Sequence, residues 1–309
     1  MKENFNVEKS QSVFTFENGL IGLNSITVFL FDYFDKQFEQ IALLLGAERR
    51  IYPTLIPIME FQKTGYLKTS PQYAIFCSDV KKQVDILENL DENVASQRLD
   101  ESNSLCSPQY VLSPAACLHV YIEYKNQEIE GTKVITFVQN VFRNEGKNGF
   151  KDLGRLRDYH VREIVFIGKS SFIVEKRKKA LELTLNLAEK LGMKLKSEVA
   201  CDPFILPRLQ KYKKIQKVEK SKIEVQLSMG ENKTISGSSY NLHGTAFTYP
   251  FKISIRGGEL AETGCVGFGI ERWVVAFIKQ FGEQPSQWPK SINDEWKNFQ
   301  KKNEEYLRN

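Results

Sequence analysis

Strand-like stretches follow one another through the middle of this sequence, and long amphipathic helical patterns bracket them. Short alternating or apolar runs occur at Tyr110–Leu112, Cys117–Tyr124, Val134–Arg143, Tyr159–Ile167, Ile223–Met229, Ser238–Leu242 and Phe247–Ile255. Before them, Phe31, Phe34, Phe38, Ile41 and Leu45 recur at three- and four-residue steps, which predicts a long helix stopped by Gly46. After them, a helix is predicted over Ile270–Phe281, between Gly269 and Gly282. A third is predicted over Ser170–Leu191, with Ser170 or Ser171 as its N-cap and Gly192 just past its end. Strands grouped between bracketing helices predict an α+β fold with a mostly antiparallel sheet.

The 309 residues allow one large domain or two ordinary ones. A hydrophobic fraction of 41% and a charged fraction of 26% are those of a soluble globular protein. The apolar run Ile26–Phe31, interrupted by Thr27, is far short of the ~20 residues that span a bilayer. Met1–Phe14 lacks the basic and apolar regions of a signal peptide, so the expectation is a cytoplasmic enzyme or binding protein without a membrane partner. Lys and Arg number 43 against 38 acidic residues, and a net charge of +5 is too mild to mark a general nucleic-acid binder. Five cysteines, widely spaced and without a CxxC pair, indicate neither a disulfide framework nor a zinc ribbon. Any metal site must be assembled from distant segments. Of the remaining pieces, Val13–Phe16 reads as an edge strand ended by Asn18-Gly19, Arg49–Pro57 as a short proline-bounded strand, and residues 79–107 as a helix with loops.

The sharpest chemical signal is Thr263-Gly264-Cys265-Val266-Gly267-Phe268-Gly269-Ile270-Glu271-Arg272-Trp273. Its three glycines let backbone approach a flat ligand, and Arg272, just inside the following helix, can meet a phosphate or stack on a base. The spacing does not fit the GxGxxG dinucleotide fingerprint. Elsewhere, Phe142-Arg143-Asn144-Glu145 closes one strand and Arg155-Leu156-Arg157-Asp158-Tyr159 opens the next. Two arginines at the ends of a paired hairpin can grip a polyphosphate, and Tyr159 can support a purine face. Together with Pro53 after the long helix, this ordered trio resembles motifs one, two and three of the class II aminoacyl-tRNA synthetases, which implies a mostly antiparallel sheet flanked by helices.

The resemblance sharpens at Leu112-Ser113-Pro114-Ala115-Ala116-Cys117, at Arg162-Glu163-Ile164-Val165 and at Cys265. These look like the zinc-binding positions of the atypical, methanogen-type seryl-tRNA synthetases, and still more like those of their truncated relatives, the amino acid:[carrier protein] ligases. Further matches to the ligases are Gly65-Tyr66-Leu67-Lys68, Cys201-Asp202-Pro203-Phe204, Lys222-Ile223-Glu224, Ser239-Tyr240-Asn241-Leu242-His243 and Gln287-Trp288-Pro289. The chain departs from the pattern at Asn144 and in a longer motif-two loop. Two thiolates and a carboxylate, Cys117, Cys265 and Glu163, would give zinc three protein ligands and leave a fourth position open for a substrate amine. The bland alternative, small buried hydrophobes, is assigned to Cys77, Cys106 and Cys201.

The resemblance also implies roles. Arg143 would hold the α-phosphate and the amino acid carboxylate, Glu145 would face the adenine amino group, and Arg155 would hold the terminal phosphates of ATP. Tyr159 and Arg272 would sandwich the adenine, Glu224 would coordinate magnesium, and Asn241 would help line the substrate pocket. Arg143, Arg155 and Arg272 would thus be the catalytic groups. His119 and His160 read as structural, and His243 has no catalytic role in this scheme.

For the acceptor, residues 1–309 read as a single synthetase-like catalytic domain without an appended tRNA-binding domain, which argues against tRNA. The basic stretch from Arg208 to Lys222, with only Glu219 opposing it, is either a solvated face or a dock for an acidic partner. The expected function is ATP-dependent activation of a small amino acid and its transfer to the phosphopantetheine thiol of a carrier protein, by a homodimer. The competing expectations are a minimal seryl-type aminoacyl-tRNA synthetase and a catalytically silent paralogue that binds nucleotide or RNA.

Overall fold

The computed structural model of the protein describes residues 12–16, 19–99, 102–145 and 155–308. Asn18 of the predicted turn and residues 146–154 of the motif-two loop lie outside them. A seven-stranded sheet forms the centre: β1 (Glu48–Arg49), β2 (Lys133–Phe142), β3 (Asp158–Gly168), β4 (Leu195–Val199), β5 (Lys222–Ser228), β6 (Thr234–Gly244) and β7 (Glu262–Gly269). Its order is β4-β5-β6-β7-β3-β2-β1, antiparallel at every step but the last, where β1 joins β2 in parallel. The helices that matter here are α1 (Ser25–Leu44), α2 (Leu118–Glu123), α3 (Ser170–Leu191), α4 (Gln210–Val218) and α5 (Ile270–Phe281).

The alternation of β7 explains how the layers form. Gly264, Val266 and Phe268 turn toward α1, α3 and α5, and Cys265, Gly267 and Gly269 turn to the opposite face. On the helix side Phe268 stacks on Phe38 of α1, with ring centroids 4.2 Å apart, and Trp273 of α5 meets Phe38 edge-on at 5.2 Å. Gly264 is small for packing and not for a ligand: a Cβ there would lie 2.6 Å from Ile173 Cγ2 and 2.7 Å from the Asn241 carbonyl oxygen. The ligand-facing role expected of all three glycines therefore narrows to Gly267 and Gly269. Phe38 is fully buried in this aromatic layer, so Phe38→Ala is expected to cost about 3–5 kcal/mol, checked by urea unfolding.

Helix ends follow local chemistry in two cases out of three. Asn24 caps α1 by accepting the backbone N–H groups of Ile26 and Thr27, and Gly192 closes α3 in the left-handed conformation at φ 67°. The expected serine cap of α3 does not form; Lys169 holds the N-cap position, and no side chain caps there.

Three strand expectations are corrected. Leu118–Glu123 is helix α2, although β-branched and aromatic residues populate it, because Leu118, His119, Val120 and Tyr121 all bury together. Phe247–Ile255 becomes a short helix, Thr248–Phe251, and a two-residue strand, Ser254–Ile255; Pro250 cannot donate to a sheet ladder. Arg49–Pro57 is divided between β1 and the strand Leu55–Pro57, which pairs with Tyr110–Leu112 in a separate three-stranded sheet. The basic stretch is helical at α4, and residues 79–107 hold the short helices Val84–Glu88 and Leu90–Ala95. Among the described residues no helix is long and apolar enough to cross a membrane.

Candidate active site

The face of the sheet opposite the long helices floors a cavity of about 650 Å³. Period-two alternation aims Tyr159, Val161 and Glu163 of β3 into it, together with Cys265 and Gly267 of β7, Ser239, Asn241 and His243 of β6, and Lys222 and Glu224 of β5. Register sets them side by side. Glu224, Ser239, Gly267 and Glu163 form one row across four strands, and Lys222, Asn241 and Cys265 form the next. Arg143 and Glu145 enter from the end of β2, Arg155 from the segment before β3, and Arg272 from the first turn of α5. Every residue that the sequence nominated for the site lines this one cavity.

Cys117, Glu163 and Cys265 converge on its floor. Their ligand-type atoms all lie within 4.8 Å of one another, and all three residues are buried. Cys117 comes from the N-cap position of α2, where the chain has left the strand at Leu112 and turned at Pro114. Asn241 Nδ2 donates to Cys265 Sγ at 3.5 Å, and His243 Nε2 lies 3.7 Å from the same sulfur. Gly267 leaves room for the carboxylate, since a Cβ there would sit 2.9 Å from Glu163 Oε2.

Electrostatics separate this trio from an ordinary core. Burial and the adjacent Cys265 push the Glu163 carboxyl well up. Hydrogen bonding with Cys117 and burial raise the Cys265 thiol. Glu163 and Cys265, crowded together away from water, resist ionising, and a bound cation removes that penalty. Two sulfurs and one carboxylate are a donor set that fits zinc, so the residues present fit the metal. Burial holds the His243 imidazole down at about 4, hence neutral.

The other half of the cavity is basic and aromatic. Arg143 Nε donates to the Pro114 carbonyl oxygen at 3.0 Å, and its guanidinium lies 5.1 Å from the Tyr73 ring centroid and 5.8 Å from that of Tyr159. Burial opposes its charge, but the Tyr159 and Tyr66 phenols and the Glu145 carboxylate outweigh burial and raise its pKa. The Arg272 guanidinium lies 5.1 Å over the Tyr159 ring, and its Nη1 donates to the Ser236 carbonyl oxygen at 3.0 Å. A purine sandwiched between them needs two contacts of roughly 3.5–4.0 Å each, so Arg272 must draw back to admit one. Arg155 is exposed at the mouth. Glu224 takes a hydrogen bond from Gln226 Nε2 at 3.0 Å and faces Lys222 Nζ at 3.2 Å.

Several wall residues were not foreseen. Tyr66 and Tyr73 flank Arg143, although the match at Gly65-Tyr66 was a pointer. Lys222 Nζ binds Asp202 at 2.7 Å, and Asp202 exchanges two hydrogen bonds with Gln216 of α4, each 2.8 Å, which fastens the Cys201–Phe204 segment over the cavity. Burial raises the Asp202 carboxyl, but Lys222, Gln216 and Arg143 together more than offset this and hold it below its usual range. Cys201 also lines the cavity, so it is not the plain core residue expected.

His119 and His160 sit in structural settings. His119 Nε2 meets the Leu55 carbonyl oxygen at 3.2 Å, and His160 Nδ1 lies 2.7 Å from Glu271 Oε1. Burial lowers the His160 imidazole, but Glu271, with Asp158 and Asp35, outweighs it and leaves it above its ordinary 6.5. A raised histidine stabilises the fold fully below its unfolded value and loses that contribution as pH rises through the folded value. The melting temperature of the unmodified protein should therefore exceed that of Glu271→Gln most below pH 6.5, and the gap should narrow on going alkaline.

The fold is that of the class II aminoacyl-tRNA synthetases, a mixed structure built on an antiparallel-dominated sheet with flanking helices. Its homologues are type-2 serine–tRNA ligases. That of Methanocaldococcus jannaschii is 31% identical over 264 residues, covering 81% of this chain and 50% of the relative. That of Methanopyrus kandleri is 28% identical over 280 residues, covering 84% and 52%. The solved structure of M. kandleri SerRS in complex with A. aeolicus tRNASec superposes with a TM-score of 0.80 at 26% identity, over 91% of this chain and 57% of that one. Cytoplasmic serine–tRNA ligase from Naegleria fowleri, in complex with AMP, shares the fold alone, with a TM-score of 0.65 at 9% identity over 85% and 57% of the two chains. No protein-family model matches the chain. The chain spans about half the length of the curated relatives it matches.

Proposed function

We propose that this protein activates a small amino acid with ATP, releasing pyrophosphate and forming an aminoacyl adenylate, within one catalytic domain over residues 1–309. The observation that carries the reading is the convergence of Cys117, Glu163 and Cys265 beside the cradle of Arg143, Tyr159 and Arg272. Zinc held by the trio would supply an electrophile for the α-amino group, favouring amino acids over other carboxylic acids. Arg143, next to Glu163 and the two tyrosines, is placed to hold the substrate carboxylate against the α-phosphate. A carboxylate oxygen then attacks phosphorus in line, the bond to the bridging oxygen of pyrophosphate breaks, and the cations offset the charge that builds. Arg155 at the mouth meets the terminal phosphates, Glu145 the adenine edge, and Glu224 a magnesium ion bound with ATP. Asn241 lines the amino acid side of the pocket.

The relatives' names favour tRNA as acceptor, against the expectation drawn from the sequence. The second reading, a phosphopantetheinylated acidic carrier protein, is favoured by α4, whose Lys211, Lys214 and Lys217 are exposed and whose Gln216 touches the cavity wall. Ile51, 95% exposed beside Pro53 in the motif-one segment, supports a homodimer. Incubation with labelled amino acid, ATP and either tRNA or holo-carrier separates the acceptors: label on tRNA supports the first reading, and a carrier thioester the second. Failure of pyrophosphate exchange with every amino acid would sink the activation reading and leave a silent nucleotide- or RNA-binding paralogue.

A further inference from the structure

His243 faces the Cys265 sulfur from outside the metal-type cluster. It stands on β6 two residues beyond Asn241, so the pleat turns both side chains into the cavity. Its Nε2 is 3.7 Å from Cys265 Sγ, and its Nδ1 is 3.2 Å from the Tyr121 hydroxyl and 3.3 Å from Thr263 Oγ1. The donor atoms that lie mutually within 4.8 Å belong to Cys117, Glu163 and Cys265, not to His243. The imidazole thus reaches the sulfur and not the centre of the cluster. Its ring is wedged edge-to-face against Phe247 at 5.0 Å, and Phe247 stacks on Tyr121 at 4.5 Å.

Hydroxyls can donate a proton to a ring nitrogen, whereas a thiolate offers only lone pairs. A neutral imidazole has one N–H and one bare nitrogen, so the arrangement is satisfied on both sides in one tautomer alone. Nδ1 accepts from Tyr121 or Thr263, and Nε2 carries the proton against sulfur. We infer that His243 is a positioning residue for the metal's thiolate ligand: Nε2–H donates to Cys265 Sγ, and Tyr121 and Thr263 fix the tautomer from behind. Asn241 Nδ2 donates to the same sulfur at 3.5 Å, so Cys265 receives two outer hydrogen bonds. Such bonds set the direction of a thiolate and temper its charge, which tunes how strongly it holds a metal. The inference rests on the metal-anchored reading of the site.

Two near-isosteric variants test it. His243→Gln places an amide N–H where Nε2 stood, and His243→Asn places one where Nδ1 stood, short of the sulfur. Chelator competition should leave zinc affinity in the Gln variant within about threefold of the unmodified protein and weaken it about 10- to 100-fold in the Asn variant. With cobalt(II) in place of zinc, the sulfur-to-cobalt charge-transfer band should shift in His243→Asn and stay in place in His243→Gln. Unchanged affinity and an unchanged band in His243→Asn would overturn the assignment. If the unmodified protein takes up neither metal, the metal reading falls and this inference with it. Normal metal uptake without pyrophosphate exchange would instead remove the activation reading and leave the role of His243 standing.

Discussion

Cys265→Ser, Cys117→Ser and Glu163→Gln are each expected to strip the protein of about one zinc per chain and to lower amino-acid-dependent pyrophosphate exchange by about 10³-fold or more. The argument is one of count and setting. Three side chains converge, all are buried, and any one replacement leaves two donors. A serine hydroxyl does not replace a thiolate toward zinc, and a neutral amide removes the negative charge that Glu163 brings. Losing several kcal/mol of electrophilic anchoring at the amine corresponds to about 10³ in rate, at 1.36 kcal/mol per tenfold. Cys106→Ser, which lies outside the cavity, should change neither quantity. Zinc lost with exchange intact would refute the anchoring role, and zinc retained in all three variants would refute the site.

How much of this could be read from the residues depends on which force placed them. The pleat placed most: Tyr159, Glu163 and Glu224 stand on strands legible in the sequence, whereas Cys265 stands on β7, which the sequence shows only as a glycine-rich stretch. Helices α1, α3 and α5 were legible from their period of 3.6. What was hidden lay where tertiary burial overrode propensity. Leu118–Glu123 carries strand-forming residues but buries as α2, and that turn delivers Cys117 beside Glu163 and Cys265. Gly264 looked like part of a ligand cradle, and only the pleat's sense shows it pressed on Ile173. Lys222 with Asp202, and His243 with Tyr121, pair across 20 and 122 residues, and no local spacing signals contacts of that kind. The three motifs and the further family matches together nominate the ten site residues, whereas the groups that hold those ten in place emerge from packing.

Arg143→Ala is expected to reduce the rate of adenylate formation by about 10³–10⁴-fold while leaving zinc content unchanged. Arg143 is committed before substrate arrives, in contrast to Arg155 at the mouth. Its Nε is tied to the Pro114 carbonyl oxygen, its backbone N–H to the Arg157 carbonyl oxygen, and its guanidinium lies between the Tyr73 and Tyr159 rings. The side chain therefore needs little reorganisation when charge develops on phosphorus, which is where a fixed cation counts most. Among the described residues Arg155, exposed at the mouth, makes no comparable hydrogen bonds, so Arg155→Ala should cost less, about 10- to 100-fold. Lysine should not rescue position 143, because a point charge on a flexible stem cannot keep the Pro114 bond and offer a planar pair of donors at once. The measurement is single-turnover adenylate formation, with metal quantified in the same samples and thermal unfolding run alongside. A drop smaller than tenfold in Arg143→Ala, with folding and metal intact, would mean that another group carries the carboxylate and the α-phosphate.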